Sequence, residues 1–164
     1  LVYMGTFMSY KNVETLIRGV ALLDGYRLEL LSRISAERKA SLEKLAFEVG
    51  ADVRFHNGVS DSEYSNMLNT ATALVSASLD EGFGIPVVEA LAHGVPVAIS
   101  DIEIFHEIAG TAGTYFEARN PASFAEAVRT IEKHPKSPAE LKAQAARFNW
   151  DASASELLKL IESL

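Results

Sequence analysis

Apolar residues in this chain follow two alternating patterns: short unbroken runs, and longer stretches where they recur every three or four positions. The apolar runs at residues 1–4, 28–31, 53–55, 73–76 and 97–99 are too short for helices and read as strands, with Tyr115-Phe116 as a sixth. Between them, Val13, Leu16, Ile17, Val20 and Ala21 mark one face of an amphipathic helix. Leu42, Leu45, Ala46 and Val49 mark another, ended by Gly50 in the C-terminal capping position. Ser60 and Glu63 make a capping box for a short helix through Leu68. Residues 86–93 read as a helix with Pro86 at its first turn, and residues 103–108 as a shorter one. Asn120-Pro121 caps a helix carrying Phe124, Val128 and Ile131. Two further helical stretches close the chain, the last with Leu157, Leu160, Ile161 and Leu164 on one face. The only linker-like composition is residues 133–138, which hold two prolines.

Short apolar strands alternating with helices predict an α/β fold, a three-layer α/β/α sandwich around a parallel sheet of about six strands. Ligands of such sheets sit beyond the C-terminal ends of the strands. That narrows the search to the loops at residues 5–11, 32–35, 56–60, 78–84 and 100–103.

At 164 residues and 48% hydrophobic, the chain suits one domain with its own core. The absence of cysteine excludes disulfides and thiolate metal sites. Fifteen basic against twenty-two acidic residues give a net charge of −7, which argues against broad nucleic-acid binding or adhesion to an acidic membrane. No apolar run approaches the roughly 18 residues that span a bilayer, and neither end reads as a signal peptide. The chain opens on Leu1, already inside a core strand, and is therefore expected to be a piece of a longer protein.

The most unusual loop is Asp80-Glu81-Gly82-Phe83-Gly84-Ile85-Pro86. Its glycines permit close backbone approach to a ligand or positive φ, and the amides of residues 83–87 are expected to face outward at the start of a helix. Such a terminus is an anion site, with phosphate the natural occupant. Glu81 and Glu89, eight positions apart and with Glu89 expected in the first helical turn, suit hydroxyl groups on either side of a phosphate. The alternative reading makes Glu81 a solvated loop residue and Glu89 a favourable charge near a helix start. Lys11, close to a helix start after Gly5, is a second candidate, set against an ordinary surface charge.

No dinucleotide-binding fingerprint is present, because the third glycine is missing after Gly82-Phe83-Gly84. Asp61-Ser62-Glu63 and Asp101-Ile102-Glu103 are not Asp-x-Asp, and His56, His93, His106 and His134 lack metal-ligand spacing. No serine sits in a Gly-x-Ser-x-Gly elbow.

The stretch from Ser78 to Val97, with Glu81 and Glu89 separated by seven residues, resembles the E-x7-E signature of group 1 (family 4) retaining glycosyltransferases. Tyr3-Met4-Gly5, Tyr10-Lys11-Asn12-Val13, Val59-Ser60-Asp61, Asn120-Pro121 and Phe148-Asn149-Trp150 agree with the family in order. The resemblance covers nearly the whole chain. It implies half of a two-domain GT-B enzyme: the C-terminal, donor-binding domain over residues 1–164, without its N-terminal acceptor domain. The implied donor is a nucleoside-diphosphate hexose, transferred with retention to a glycan or lipid-linked sugar acceptor and without a metal cofactor. The implied location is the cytoplasm, free or at the inner face of the membrane.

Carried over by residue, the resemblance puts Glu81 in the catalytic position, against donor sugar hydroxyls near the reacting carbon. Gly82, Phe83, Gly84 and Ile85 would offer backbone to sugar and phosphate, Glu89 would hold ribose hydroxyls, and Lys11 would meet the diphosphate. Gly5 opens the first loop and Val59 lies near the base. The family's usual Arg after that first glycine is Thr6 here, and Arg33, in the loop after the second strand, is the candidate replacement. The family's last helix often crosses back to the N-terminal domain. Two other functions remain: a sugar-nucleotide epimerase of the same fold, or a binding module without catalysis. A receiver-type domain would need an acidic residue where His56 ends the third strand.

Overall fold

The computed structural model describes residues 1–163. The six apolar runs pair side by side: β1 (Val2–Met4), β2 (Leu28–Leu31), β3 (Val53–His56), β4 (Leu74–Ser76), β5 (Val97–Ser100) and β6 (Thr114–Phe116). All pairs are parallel, in the order β3-β2-β1-β4-β5-β6. The chain steps outward from β1 to β3, then crosses to the other side of β1 to lay down β4. Where that direction reverses, the loops after β1 and β4 diverge and leave a crevice.

The connecting helices are α1 (Val13–Val20), α2 (Ala36–Val49), α3 (Asp61–Thr70), α4 (Ile85–His93) and α5 (Glu103–Ala109), followed by α6 (Pro121–Lys133), α7 (Pro138–Ala145) and α8 (Trp150–Glu162). Alternate strand residues feed opposite faces. Tyr3, Leu30 and Val75 pack with Leu16 and Ile17 of α1, Leu42 of α2 and Phe124 of α6. Val2, Leu31 and Leu74 pack with Leu68 of α3, Leu91 of α4, Phe105 of α5 and Leu141 of α7. Both faces of the sheet are thus covered, which is why its central strands β1 and β4 are mainly apolar rather than alternating, while the edge strand β3 carries Arg54 and His56.

The expected elements are present, with differences at their ends. The Ser60–Glu63 capping box and the Asn120 cap form as expected. Helix α4 begins at Ile85, so Glu89 falls in the second turn rather than the first, beyond most of the pull of the helix terminus. The proline-containing stretch at 133–138 is a short helix-to-helix connection, not a linker. There Ser137 and Glu140 form a capping box that starts α7, and Lys136 Nζ donates to the Gly113 carbonyl at 2.7 Å. Helix α8 keeps its apolar stripe but buries none of it, with Leu157, Leu160 and Ile161 all more than half exposed. Leu164, expected on the same stripe, lies outside the described residues. Among the described residues no helix is long and apolar enough to cross a membrane.

Candidate functional site

After β1 the chain turns at Gly5 and makes one 3-10 turn, Ser9–Lys11, before Asn12 caps α1. Asn12 sits at φ 51, the one non-glycine residue among those described with positive φ. Its side chain explains the cost it bears. Nδ2 donates to the carbonyls of Ala77 at 3.1 Å and Ala118 at 2.5 Å, while Oδ1 accepts from Thr15 Oγ1 at 2.9 Å. A backbone bond from Leu79 N to the Tyr10 carbonyl, 2.8 Å long, adds a second tie between the loops after β1 and β4. From below, the buried Tyr3 hydroxyl donates to the Thr6 carbonyl at 2.5 Å. From the side, Arg38 of α2 donates Nε to the Phe7 carbonyl at 3.2 Å and pairs with Glu14 at 2.7 Å. Lys11 is thereby held at the mouth of the crevice.

The loop after β4 brings a carboxylate to meet it. Lys11 Nζ donates to Glu81 Oε1 at 2.6 Å, and the Ser78 hydroxyl donates to the same oxygen at 2.7 Å. Both charged side chains are only 14% exposed, so each depends on the other for compensation. Behind them, Ser76 Oγ and Ser78 Oγ lie 3.1 Å apart, and the Ser100 hydroxyl donates to the Ser78 carbonyl at 2.5 Å. The phenol of Tyr3 is pushed well above its ordinary pKa, first by burial and then by the nearby Glu81 charge.

The two glycines of this loop do different work. Gly84 caps α4 at φ 100, and a Cβ there would sit 2.9 Å from the Phe105 ring. Gly82 has no positive φ, and a Cβ there would meet nothing within 4 Å. The amides available at the start of α4 are fewer than the expected run of residues 83–87. Pro86 has none, and Val87 N already donates to the Gly84 carbonyl at 2.9 Å, which leaves Phe83, Gly84 and Ile85.

Gly5, Thr6, Lys11, Glu81, Gly84 and Ile85 all line one cavity of about 350 Å³ at the ends of β1 and β4. Glu89 lies on the other side of Phe83 and Ile85, in an adjoining cavity of about 230 Å³ shared with Phe148 and Trp150. Beside it the Tyr64 phenol is buried, and burial followed by the Glu89 charge raises its pKa. Val59, half-buried between β3 and α3, packs with the α3–α4 side of the core. Arg33 is exposed after β2 and lines neither cavity. The loop carrying it lies one strand farther from the crevice than the loop it was expected to assist. Among the described residues no group of histidine and carboxylate side chains is arranged to hold a metal ion.

A family model described as Glycosyl transferases group 1 matches residues 1–148. The chain belongs to this family. It is 31% identical over 151 residues to the O-antigen chain mannosyltransferase RfbU of Salmonella typhimurium, covering 90% of this chain and 42% of that protein. The solved sucrose-phosphate synthase of Thermosynechococcus elongatus superposes with a TM-score of 0.84 at 25% identity, over 99% of this chain and 44% of its own. Anabaena HepE, solved in complex with UDP and glucose, gives a TM-score of 0.88 at 18% identity, over 99% of this chain and 48% of its own. This group 1 glycosyl transferase sequence therefore spans less than half the length of these three proteins, and its Rossmann-like sheet is that of the GT-B glycosyltransferases.

Sequence reasoning located Lys11 and Glu81 but left out the residues that hold them. Ser76, Ser78, Ser100, Asn12 and Arg38 act through partners distant in sequence or through a turn. Asn12 alone carried a local signal, since asparagine is the residue that best tolerates positive φ after glycine.

Proposed function

We propose that this chain is the donor-binding, C-terminal domain of a retaining hexosyltransferase. It binds a nucleoside-diphosphate hexose, and an acceptor glycan or lipid-linked sugar is held by an N-terminal domain of the full-length protein. The observation that carries this reading is the meeting of Lys11 and Glu81 at the switch point of the sheet, beside the first amides of α4. As the bond from the anomeric carbon to the diphosphate breaks, negative charge grows on the leaving oxygen. The preorganised amides of Phe83, Gly84 and Ile85 stabilise it, joined by Lys11 Nζ as it turns from Glu81 to the phosphates. That positive charge comes from the protein, so a divalent metal is not required. Glu81 presents a carboxylate oxygen to sugar hydroxyls, and Glu89 serves the ribose from the adjoining cavity. The open space above Gly82 is consistent with close approach of the donor to the backbone. Such a transferase would work in the cytoplasm, free or at the inner face of the membrane. RfbU, a mannosyltransferase by name, makes GDP-mannose a first donor to try beside UDP-glucose.

Titration calorimetry with UDP and GDP, in buffer with and without a chelator, tests the reading. The expected result is binding of at least one nucleotide, unchanged by the chelator. Binding that vanishes with the chelator overturns the metal-free part, and no binding of either overturns the donor site.

A further inference from the structure

Glu81 Oε1 takes two donors, Lys11 Nζ at 2.6 Å and Ser78 Oγ at 2.7 Å, while no described side chain donates to Oε2. These two donors have unequal futures once a donor substrate arrives. Lys11 ends a flexible four-carbon stem, and a diphosphate offers it more negative charge than one carboxylate does. When it turns to the phosphates, Glu81 loses its counter-charge at a place where only 14% of its side chain is exposed.

Ser78 cannot leave. It is fully buried, its carbonyl is held by the Ser100 hydroxyl at 2.5 Å, and its own Oγ lies 3.1 Å from Ser76 Oγ. An ionised carboxylate only accepts, so the Ser78 proton points at Glu81, and Ser78 in turn accepts from the Ser76 hydroxyl. The protons run in one direction, from Ser76 to Ser78 to Glu81, and Ser76 itself borders the cavity. Burying a hydroxyl at 78 carries a penalty unless it is bonded, and the bond to Glu81 supplies that compensation.

We infer that Ser78 is the positioning residue of Glu81: it keeps Oε2 aimed at the sugar after the donor phosphates have drawn Lys11 away. This rests on the donor-site reading above and adds a residue to it. In this account the Lys11–Glu81 ion pair is a resting arrangement, and the serine bond is the one that persists in the complex.

The test is calorimetry of the wild-type protein, Ser78→Ala, Glu81→Ala and the double variant with UDP, GDP, UDP-glucose and GDP-mannose. Ser78→Ala should keep affinity for the bare nucleotide within about twofold and weaken its sugar conjugate about tenfold, the scale of one hydrogen bond to a charged group. In the Glu81→Ala background the same change should add nothing, because its partner is gone. Equal weakening of nucleotide and conjugate, or a tenfold loss that persists without Glu81, would make Ser78 merely structural and overturn the inference. Should Ser78→Ala fail to fold, Ser76→Ala removes the hydroxyl that orients Ser78. A smaller sugar-specific loss there supports the inference, and no sugar-specific loss overturns it. Wild-type protein that binds none of the four overturns the donor-site reading along with it. Wild-type binding with an unaltered sugar preference in Ser78→Ala overturns this inference alone.

Discussion

The loop after β1 carries its charge on a long flexible stem, whereas the loop after β4 carries its charge on a carboxylate braced from beneath by buried serines. Each loop is tied down at a residue of positive φ just before its helix, and these two anchors are of opposite kinds. Asn12 holds its loop through what its side chain bonds to, and Gly84 holds its loop through having no side chain. The cation side is therefore tied down by hydrogen bonds to its loop and free to swing its charge, while the anion side combines packing at Gly84 with a serine bond to the carboxylate itself and keeps its charge in place.

Exchanging the anchors breaks this comparison most strongly. Gly84→Ala places a Cβ at φ 100 and 2.9 Å from Phe105, and we expect a loss of about 3 kcal/mol or more in unfolding free energy. Asn12→Gly keeps the backbone conformation but gives up its side-chain bonds to Ala77 and Ala118, for a smaller loss of about 2 kcal/mol. Denaturant unfolding measures both. A near-neutral Gly84→Ala, or an Asn12→Gly loss larger than that of Gly84→Ala, would reverse the roles assigned to the two loops.

The same contrast explains what could be read from the sequence. Strand runs such as 28–31 and 97–99 announce themselves because a doubly covered sheet leaves few polar positions, Glu29 being the exception in these two. Lys11 and Glu81 were legible because each follows a strand. Ser78 gave no sign of its role, since its bond to Glu81 depends on how Leu79 and Asp80 between them turn. Arg33 misled because strand order is not written in the pattern: the loop after β2 reads like the loop after β1, but only the latter borders β4. Helix α8 makes the complementary point beside α1. Both are amphipathic, yet α1 is buried along its apolar face and α8 buries nothing, so periodicity says that a face is apolar and not what covers it.

A smaller effect sharpens the comparison through Tyr3, which bonds the first loop and feels the charge of the second. Its folded pKa is raised above 10, so the unfolded chain releases this proton before the folded one does. Its contribution to stability is therefore complete below about pH 10 and declines as pH rises beyond that. The melting temperature of Tyr3→Phe should fall less steeply above pH 10 than that of wild type. Phenolate absorbance should show Tyr3 ionising at lower pH in Glu81→Ala, where the nearby negative charge is gone. An unchanged titration would mean that the second loop does not act on the first.

The central claim is that Lys11 and Glu81 divide the donor between phosphate and sugar, with Glu89 apart on the ribose. Calorimetry of Glu81→Ala and Glu89→Ala with a nucleoside diphosphate and its hexose conjugate tests this most directly. Glu89→Ala should weaken both ligands by about 1–3 kcal/mol, the range for a charged hydrogen bond. Glu81→Ala should bind the bare nucleotide at least as tightly as wild type, because Lys11 loses its competing partner, and should weaken only the conjugate. Equal losses for both ligands in both variants would contradict the account.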